Sequence, residues 1–337
     1  MKSSRIVLLL LVAVLFISSL WLGTFPAAAQ EGLGRLDVLL CNPLIASLEM
    51  GSTWEAAKAV GVSGIEVHVE PDLSCSRLYV GDQTPYRIDN AQNAFKIARD
   101  AAEHGLVVPV LVAPLKLDPQ EALNTGAPAW ALQLIEFAPA AGASLVYFPI
   151  VTDNFTKPTY SDEEFIEAAV FVLNDLVEHA RKFPVQVGFE NLSVYWNRPE
   201  VLRGVLSQFE ADELGFCLDP INFYWFGHPR SEVYSIVQEF IPRAYHFHVK
   251  NVAHPVDKRE VRREPGWQYS QNSVAADQGD LDFEKLIGLL LDANYNGLIS
   301  IEDDSLGKVE APQRLEILRS DVEYVRRIVR GYLGGSE

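Results

Sequence analysis

Four polar side chains close four successive apolar runs of this chain. Glu190 ends "PVQVGFE" (184–190), Asp219 ends "LGFCLD" (214–219), His248 lies near the end of "AYHFHVK" (244–250), and Glu302 falls in "GLISIED" (297–303). Three carboxylates and one imidazole form an oxygen-rich donor set for a divalent cation. Mn²⁺, Mg²⁺ or Co²⁺ suits it best, and Zn²⁺ is compatible with it. Without a cation, three crowded carboxylates repel and raise one another's pKa. The competing interpretation is four unrelated polar residues at strand ends, where polarity is ordinary.

Strand parity separates the two interpretations, because successive side chains of a strand point to opposite faces. Val185, Val187 and Phe189 oppose Gln186, Gly188 and Glu190; Leu214, Phe216 and Leu218 oppose Gly215, Cys217 and Asp219. Ile299 and Ile301 oppose Leu298, Ser300 and Glu302; Tyr245, Phe247 and Val249 oppose His246, His248 and Lys250. The four candidate ligands therefore share the polar face of four consecutive strands. The carboxylates of neighbouring strands are expected to answer the histidine face.

The elements that must position these residues run through the whole chain. Four earlier apolar runs, at 36–41, 64–70, 107–113 and 144–150, precede those named above. Amphipathic helical patterns separate them, one opening with Ser161 and Glu164 at capping-box spacing and two stopping near Gly105 and Gly297. Eight strand–helix alternations predict an α/β fold, a closed (β/α)₈ TIM barrel forming one catalytic domain over 34–333. The rival, a doubly wound open sheet, usually carries a glycine-rich first turn, which "LLCNPLIAS" lacks. In a barrel the polar face points inward, and the site lies at the C-terminal ends of the strands.

The pieces "GFEN" (188–191), "GFCLDP" (215–220), "HFHVKN" (246–251), "GDLDFEKLIGLLLDANYNG" (279–297) and "LISIEDD" (298–304) resemble the sugar phosphate isomerase/epimerase family, the xylose-isomerase-like barrels that include endonuclease IV. The resemblance covers the second half of the barrel well and the first half mainly in strand rhythm. No single piece is specific; their order and spacing are. It implies metal ligation by Glu190, Asp219, His248 and Glu302, with Glu190 and Glu302 as the acid/base pair. Two positions depart from the family pattern. Asn222 stands where a histidine is common, and Asn251 ends an H-x-K-D motif that usually closes with Asp. Both keep hydrogen-bonding capacity, and both leave the substrate contacts open.

Further residues are candidates for substrate contact. Asn222 follows Asp219, and Lys250 stands beside the carboxylate cluster, to neutralise it or polarise a substrate oxygen. His68 shares a face with Glu66 and Glu70, as a substrate-side or a structural histidine. The stretch 251–278 is too long for a plain connection, and such loops are often lids or binding loops. It places His254, Arg263, Trp267 and Tyr269 within reach of a ligand. Trp196 and Tyr195 after the fifth strand, with Phe223, Tyr224 and Trp225 after the sixth, suit the apolar faces of sugar rings; ordinary loop packing is the alternative. His246, one inward step deeper than His248, reads as a supporting residue.

The composition bounds the rest. The net charge of −17 leaves no basic footprint for nucleic acid, which also counts against the endonuclease branch. Residues 1–29 read as a signal peptide: a basic start, a continuous apolar run and small residues before Ala29. If uncleaved, this segment is an anchor and the only membrane contact. Either way the chain is expected to work outside the cytoplasm, in the periplasm or beyond the cell. Of three cysteines, Cys41 and Cys75 pair if their loops adjoin, and Cys217 reads as a buried strand residue. The absence of a Cys-x-x-Cys motif argues against a thiolate zinc site.

The expected function is a metal-dependent isomerase or epimerase on a sugar or sugar-like hydroxyketone, by proton abstraction through a metal-bound enediolate. A lyase or hydratase on an oxidised 3-keto glycoside shares the first step. A non-catalytic sugar-binding barrel is the reading from another class. A small carbohydrate is the expected partner, and self-association into a homo-oligomer is left open.

Overall fold

The eight apolar runs become the eight staves of a closed parallel barrel. The computed structural model describes residues 36–81 and 84–334. Its barrel strands are β1 (Val38–Cys41), β2 (Gly64–His68), β3 (Val107–Val112), β4 (Leu145–Phe148), β5 (Gln186–Glu190), β6 (Gly215–Leu218), β7 (Ala244–Val249) and β8 (Leu298–Ile301). Each pairs with its neighbours in sequence, and β8 pairs back to β1. A principal helix follows each strand: α1 (Thr53–Val60), α2 (Ala91–Glu103), α3 (Ala129–Phe137), α4 (Asp162–Ala180), α5 (Pro199–Leu206), α6 (Arg230–Phe240), α7 (Phe283–Asp292) and α8 (Ala311–Gly334).

Local chemistry sets the helix ends. Ser161 caps α4, and Glu164 bonds back to the Ser161 N–H at 2.8 Å, completing the expected box. Gly105, at φ +70°, follows α2 as its left-handed stop. After α7 that role falls to Asn294, at φ +57°, and not to Gly297. Gly297 is required for space instead: a Cβ there would lie 2.3 Å from the Tyr295 hydroxyl.

Two apolar layers result. The outer one, between strands and helices, takes Val187, Phe189, Phe216, Leu218, Phe247, Ile299 and Ile301, as parity requires. The inner one is small: Leu39, Val110, Val112, Leu145, Tyr147 and Cys217. Tyr245 breaks the expected alternation. The β6–β7 register jumps from Phe216↔Ala244 to Cys217↔His246, a bulge that leaves Tyr245 unpaired and turns its ring under Gly215 against the inner cluster.

Beyond the barrel, Ser74–Val80 and Thr84–Arg87 pair as an antiparallel ribbon between β2 and α2. The long segment after β7 is anchored by pairing of Asn251–Val252 with Ser273–Val274. Cys41, Cys75 and Cys217 are free and buried, so the Cys41–Cys75 pair does not form. The amino-terminal segment read as a signal or anchor lies outside the described residues. Among the described residues, no helix is long and apolar enough to cross a membrane.

Gly215→Ala should destabilise the barrel, since its Cβ would meet the Tyr245 ring at 2.3 Å. The expected cost of such overpacking is about 1–3 kcal/mol, read as a lower urea midpoint at unchanged slope. An unaltered midpoint would mean that the Tyr245 ring is free to move aside.

Candidate metal centre

The four strand-end residues meet at one point. One donor atom from each of Glu190, Asp219, His248 and Glu302 lies within 4.8 Å of all the others. Asp219 divides its two oxygens between structure and site. Oδ1 caps the short helix Pro220–Phe226 by accepting the N–H groups of Ile221 (2.8 Å) and Asn222 (3.2 Å). Oδ2 is left facing Lys250 Nζ at 2.8 Å and His248 Nδ1 at 3.8 Å. Glu190 accepts the Asn222 side-chain amide at 3.0 Å, and its Oε1 lies 3.9 Å from His248 Nδ1. Glu302 Oε2 accepts Lys250 Nζ at 2.6 Å and stands 3.2 Å from His248 Nδ1. Asn191 ties the β5 and β6 ends together, accepting the Asp219 N–H at 2.7 Å and donating to its carbonyl at 2.8 Å.

The histidine face is answered from across the barrel. Glu66 of β2 has no exposed surface, and its Oε2 lies 2.8 Å from His246 Nε2 and 3.2 Å from His248 Nε2. Its Oε1 accepts the Tyr147 hydroxyl at 2.6 Å. The neighbouring-strand carboxylates expected in this role do meet His248 at Nδ1, Glu302 at 3.2 Å, Asp219 at 3.8 Å and Glu190 at 3.9 Å, whereas His246 is answered by Glu66. On His248, Nδ1 faces the three carboxylates; burial opposes charge on the ring, but Cys217, Glu66 and Glu302 hold it well above the usual imidazole range, so a cation binding at Nδ1 must displace a proton there. Glu66 at Nε2 is the usual support of a metal-binding histidine by a carboxylate behind it. The sequence signal for Glu66 was its inward parity with His68; what it lacked was a partner.

The electrostatics split the two glutamates. Burial pushes Glu190 up to about 8, with the charges of Glu302 and Asp219 adding to it against His248 and Lys250. Burial would also raise Glu302, but the Lys250 charge and the His248 hydrogen bond pull it well below the usual carboxylate range. Lys250, despite burial, is held ionised by Asp219 and Glu302. The donor set fits a divalent cation: four convergent ligands, one of them a buried carboxylate oxygen whose near partners are cationic or ring nitrogens.

The remaining candidates divide. Asn222 and Lys250 touch the ligands directly. His68 sits at the edge, its Nε2 3.9 Å from Glu66. His254 is buried behind the loop wall, its ring tilted against those of Tyr224 and Trp267, with its backbone N–H on Asp280 at 2.8 Å. Burial and the Arg263 charge push His254 down to about 4, so its ring is neutral. It and Trp267 brace the loop. Arg263, expected within reach of a ligand, instead lies over the Tyr224 ring and donates to the carbonyls of Tyr224 (2.9 Å) and His228 (3.1 Å).

Trp196 is a correction. Its indole N–H donates to the Ile150 carbonyl at 2.7 Å and its ring packs on Phe165 and Phe189, fully buried in the outer layer. Asn251 is a brace too. Its amide donates to the carbonyls of Ala276 (2.8 Å) and Leu281 (2.9 Å).

A family model described as xylose isomerase-like TIM barrel matches residues 54–328. Among solved structures, the chain is similar to the IOLI protein with a binding zinc atom (14% identity, 86% of this chain and 98% of that one, TM-score 0.62). It is similar to a xylose isomerase-like TIM barrel protein from Mycobacterium smegmatis in complex with magnesium (15%, 88% and 97%, 0.59). A D-tagatose 3-epimerase-like protein also matches (18%, 87% and 100%, 0.57). At these identities the likeness is one of fold. No curated protein matches the chain.

Two expectations follow from this geometry. Glu190, at about 8 without a cation, must release its proton to become a ligand. Apparent metal affinity should therefore rise toward pH 8 by about tenfold per pH unit for each proton displaced, from Glu190 and from His248, with proton release visible as buffer-dependent heat in calorimetry. A flat affinity across that range would contradict the assignment. Asn251→Asp removes two donated hydrogen bonds and sets a carboxylate against two carbonyls. It should cost about 1–3 kcal/mol and increase proteolysis within 251–282; unchanged stability would remove Asn251 from the brace.

Proposed function

The chain belongs to the xylose isomerase-like TIM barrel family, and on that footing we propose that it is a divalent-metal-dependent isomerase or epimerase of a sugar or sugar-like hydroxyketone. The observation that carries this reading is the convergence of two glutamates, Glu190 and Glu302, with Asp219 and His248 on one centre. Two carboxylates flanking one centre are the groups that abstraction and return of a proton require. A cation held by Glu190, Asp219, His248 and Glu302 would supply Lewis-acid polarisation of a substrate carbonyl and its neighbouring hydroxyl. Glu302, ionised and the most exposed of the four, takes the proton from the carbon between them. Glu190, ionised once it is a ligand, returns a proton from the other side of the centre after taking one up from solvent. Lys250 keeps Glu302 charged before the transfer and stabilises negative charge nearby during it. Asn222 holds the Glu190 carboxyl in place through Oε1. Mn²⁺, Mg²⁺, Co²⁺ and Zn²⁺ all remain consistent with the donors. Export through residues 1–29 is part of the same proposal, because a free hydroxyketone or oxidised glycoside is a substrate available outside the cell.

The test is solvent proton exchange. Incubated in deuterated water with metal and a panel of ketoses, aldoses and 3-keto-glycosides, the protein should label the carbon next to the carbonyl of at least one of them. Glu190→Gln and Glu302→Gln should each reduce that exchange by about 10²–10⁴-fold while metal still binds. Label accompanied by loss of a substituent would move the assignment to a lyase. Normal metal binding with no exchange on any member of the panel would make the protein a sugar-binding barrel.

A further inference from the structure

Another set of donors lies at the barrel mouth, on the two strands that the proposed reaction does not use. Cys41 ends β1, and Glu66 and His68 point inward from β2, with Cys41 and Glu66 as register partners. The Cys41 sulfur is 3.3 Å from Glu66 Oε1, and His68 Nε2 is 3.9 Å from the same oxygen. All three donor atoms lie within 4.8 Å of one another. Cys41 and Glu66 are buried, whereas the His68 side chain is 31% exposed, so the group has an open side. Among the described residues, the His68 ring has no hydrogen-bond partner, and its Nε2 stands 3.9 Å from Glu66 Oε1.

We propose that Cys41, Glu66 and His68 form a second divalent-cation site, of zinc type, beside the oxygen-rich centre. Three protein donors with one open position are the ligand count of an exchangeable zinc site. The sulfur selects Zn²⁺ or Co²⁺ over Mg²⁺ or Mn²⁺. Binding releases the Cys41 proton to solvent, and the thiolate and the Glu66 carboxylate then balance the two positive charges. The Oε1 lone pair that now accepts the Cys41 thiol is the one the cation takes. Oε2 stays with His246 and His248, so the support of the first centre is kept. A Cys-x-x-Cys spacing is not needed, because strand register, and not sequence spacing, brings the donors together. The group Cys217, His246 and His248 also has converging donors, but it is fully buried and its nitrogens are largely committed. His246 Nε2 faces Glu66 and Ser300, and both His248 nitrogens face carboxylates.

The experiment is cobalt titration of the chelator-stripped full chain, followed in the near ultraviolet. Two Co²⁺ should bind per chain, one of them with an intense thiolate-to-cobalt charge-transfer band that an oxygen-and-imidazole centre cannot produce. Cys41→Ser should abolish the band and halve the stoichiometry, and His68→Ala should weaken that step alone. Cys217→Ser should leave band and stoichiometry unchanged. X-ray absorption of the zinc-loaded wild type, which depends on no variant, should show one sulfur for every two zinc ions. One cobalt per chain without the band, or a band lost in Cys217→Ser and kept in Cys41→Ser, overturns the proposal. These readouts do not involve turnover, so their failure leaves the proposed reaction standing, and failure of proton exchange leaves the second site standing.

Discussion

The interior of the barrel is arranged around a carboxylate that has no contact with water. Glu66 is held ionised well below the usual range: burial opposes its charge, and the His248 charge with the His246 and His248 hydrogen bonds overcomes it. A buried ion without partners costs several kcal/mol. Glu66 has four: Tyr147, Cys41, His246 and His248. Both imidazoles turn Nε2 to the same oxygen, which fixes the orientation of both rings. His248, two residues nearer the mouth, thereby presents Nδ1 to the strand-end carboxylates. His246 presents its Nδ1 to the packed interior, where it has no partner. One structural requirement thus makes one histidine a ligand and the other a support.

Asymmetry at the strand ends follows from where Lys250 and His248 stand. Lys250 stands on Asp219 and Glu302 at 2.8 and 2.6 Å, while Glu190 has only the neutral amide of Asn222 as its direct partner. Two glutamates of equal chemistry therefore differ in protonation because Glu302 has an ammonium and the His248 ring within hydrogen-bond reach, and Glu190 has neither. Burial alone would have raised both.

The long segment after β7 is a wall, held by buried polar groups at several points. Asp280 accepts the Tyr224 hydroxyl and the His254 N–H, both at 2.8 Å. Arg263 lies over the Tyr224 ring, and its carbonyl passes so close to Gly227 that a Cβ there would be 2.0 Å away. With Asn251 bonding to Ala276 and Leu281, these contacts place the aromatic residues Tyr224 and Trp267 as scaffolding.

Much of the fold was legible in the chain. Strand alternation is a local property of the backbone, so each run could be assigned an inward face from its own residues. Inward placement of Glu190, Asp219, His248 and Glu302 at one end of the barrel was therefore determined by the sequence by itself, along with the eight-fold alternation and the α4 cap. Local pattern failed where a neighbour intervened. The bulge at Tyr245 arises from pairing with β6, and Trp196 was drawn into the outer layer by Phe165, Phe189 and the Ile150 carbonyl. The partner of the histidines was decided only by tertiary structure. Glu66 and His246 are 180 residues apart and meet at 2.8 Å because the sheet closes, which sets strands two and seven facing each other across a narrow interior. No periodicity within either strand encodes that meeting; barrel closure creates it, and the cost of leaving a buried charge unpaired holds it in place.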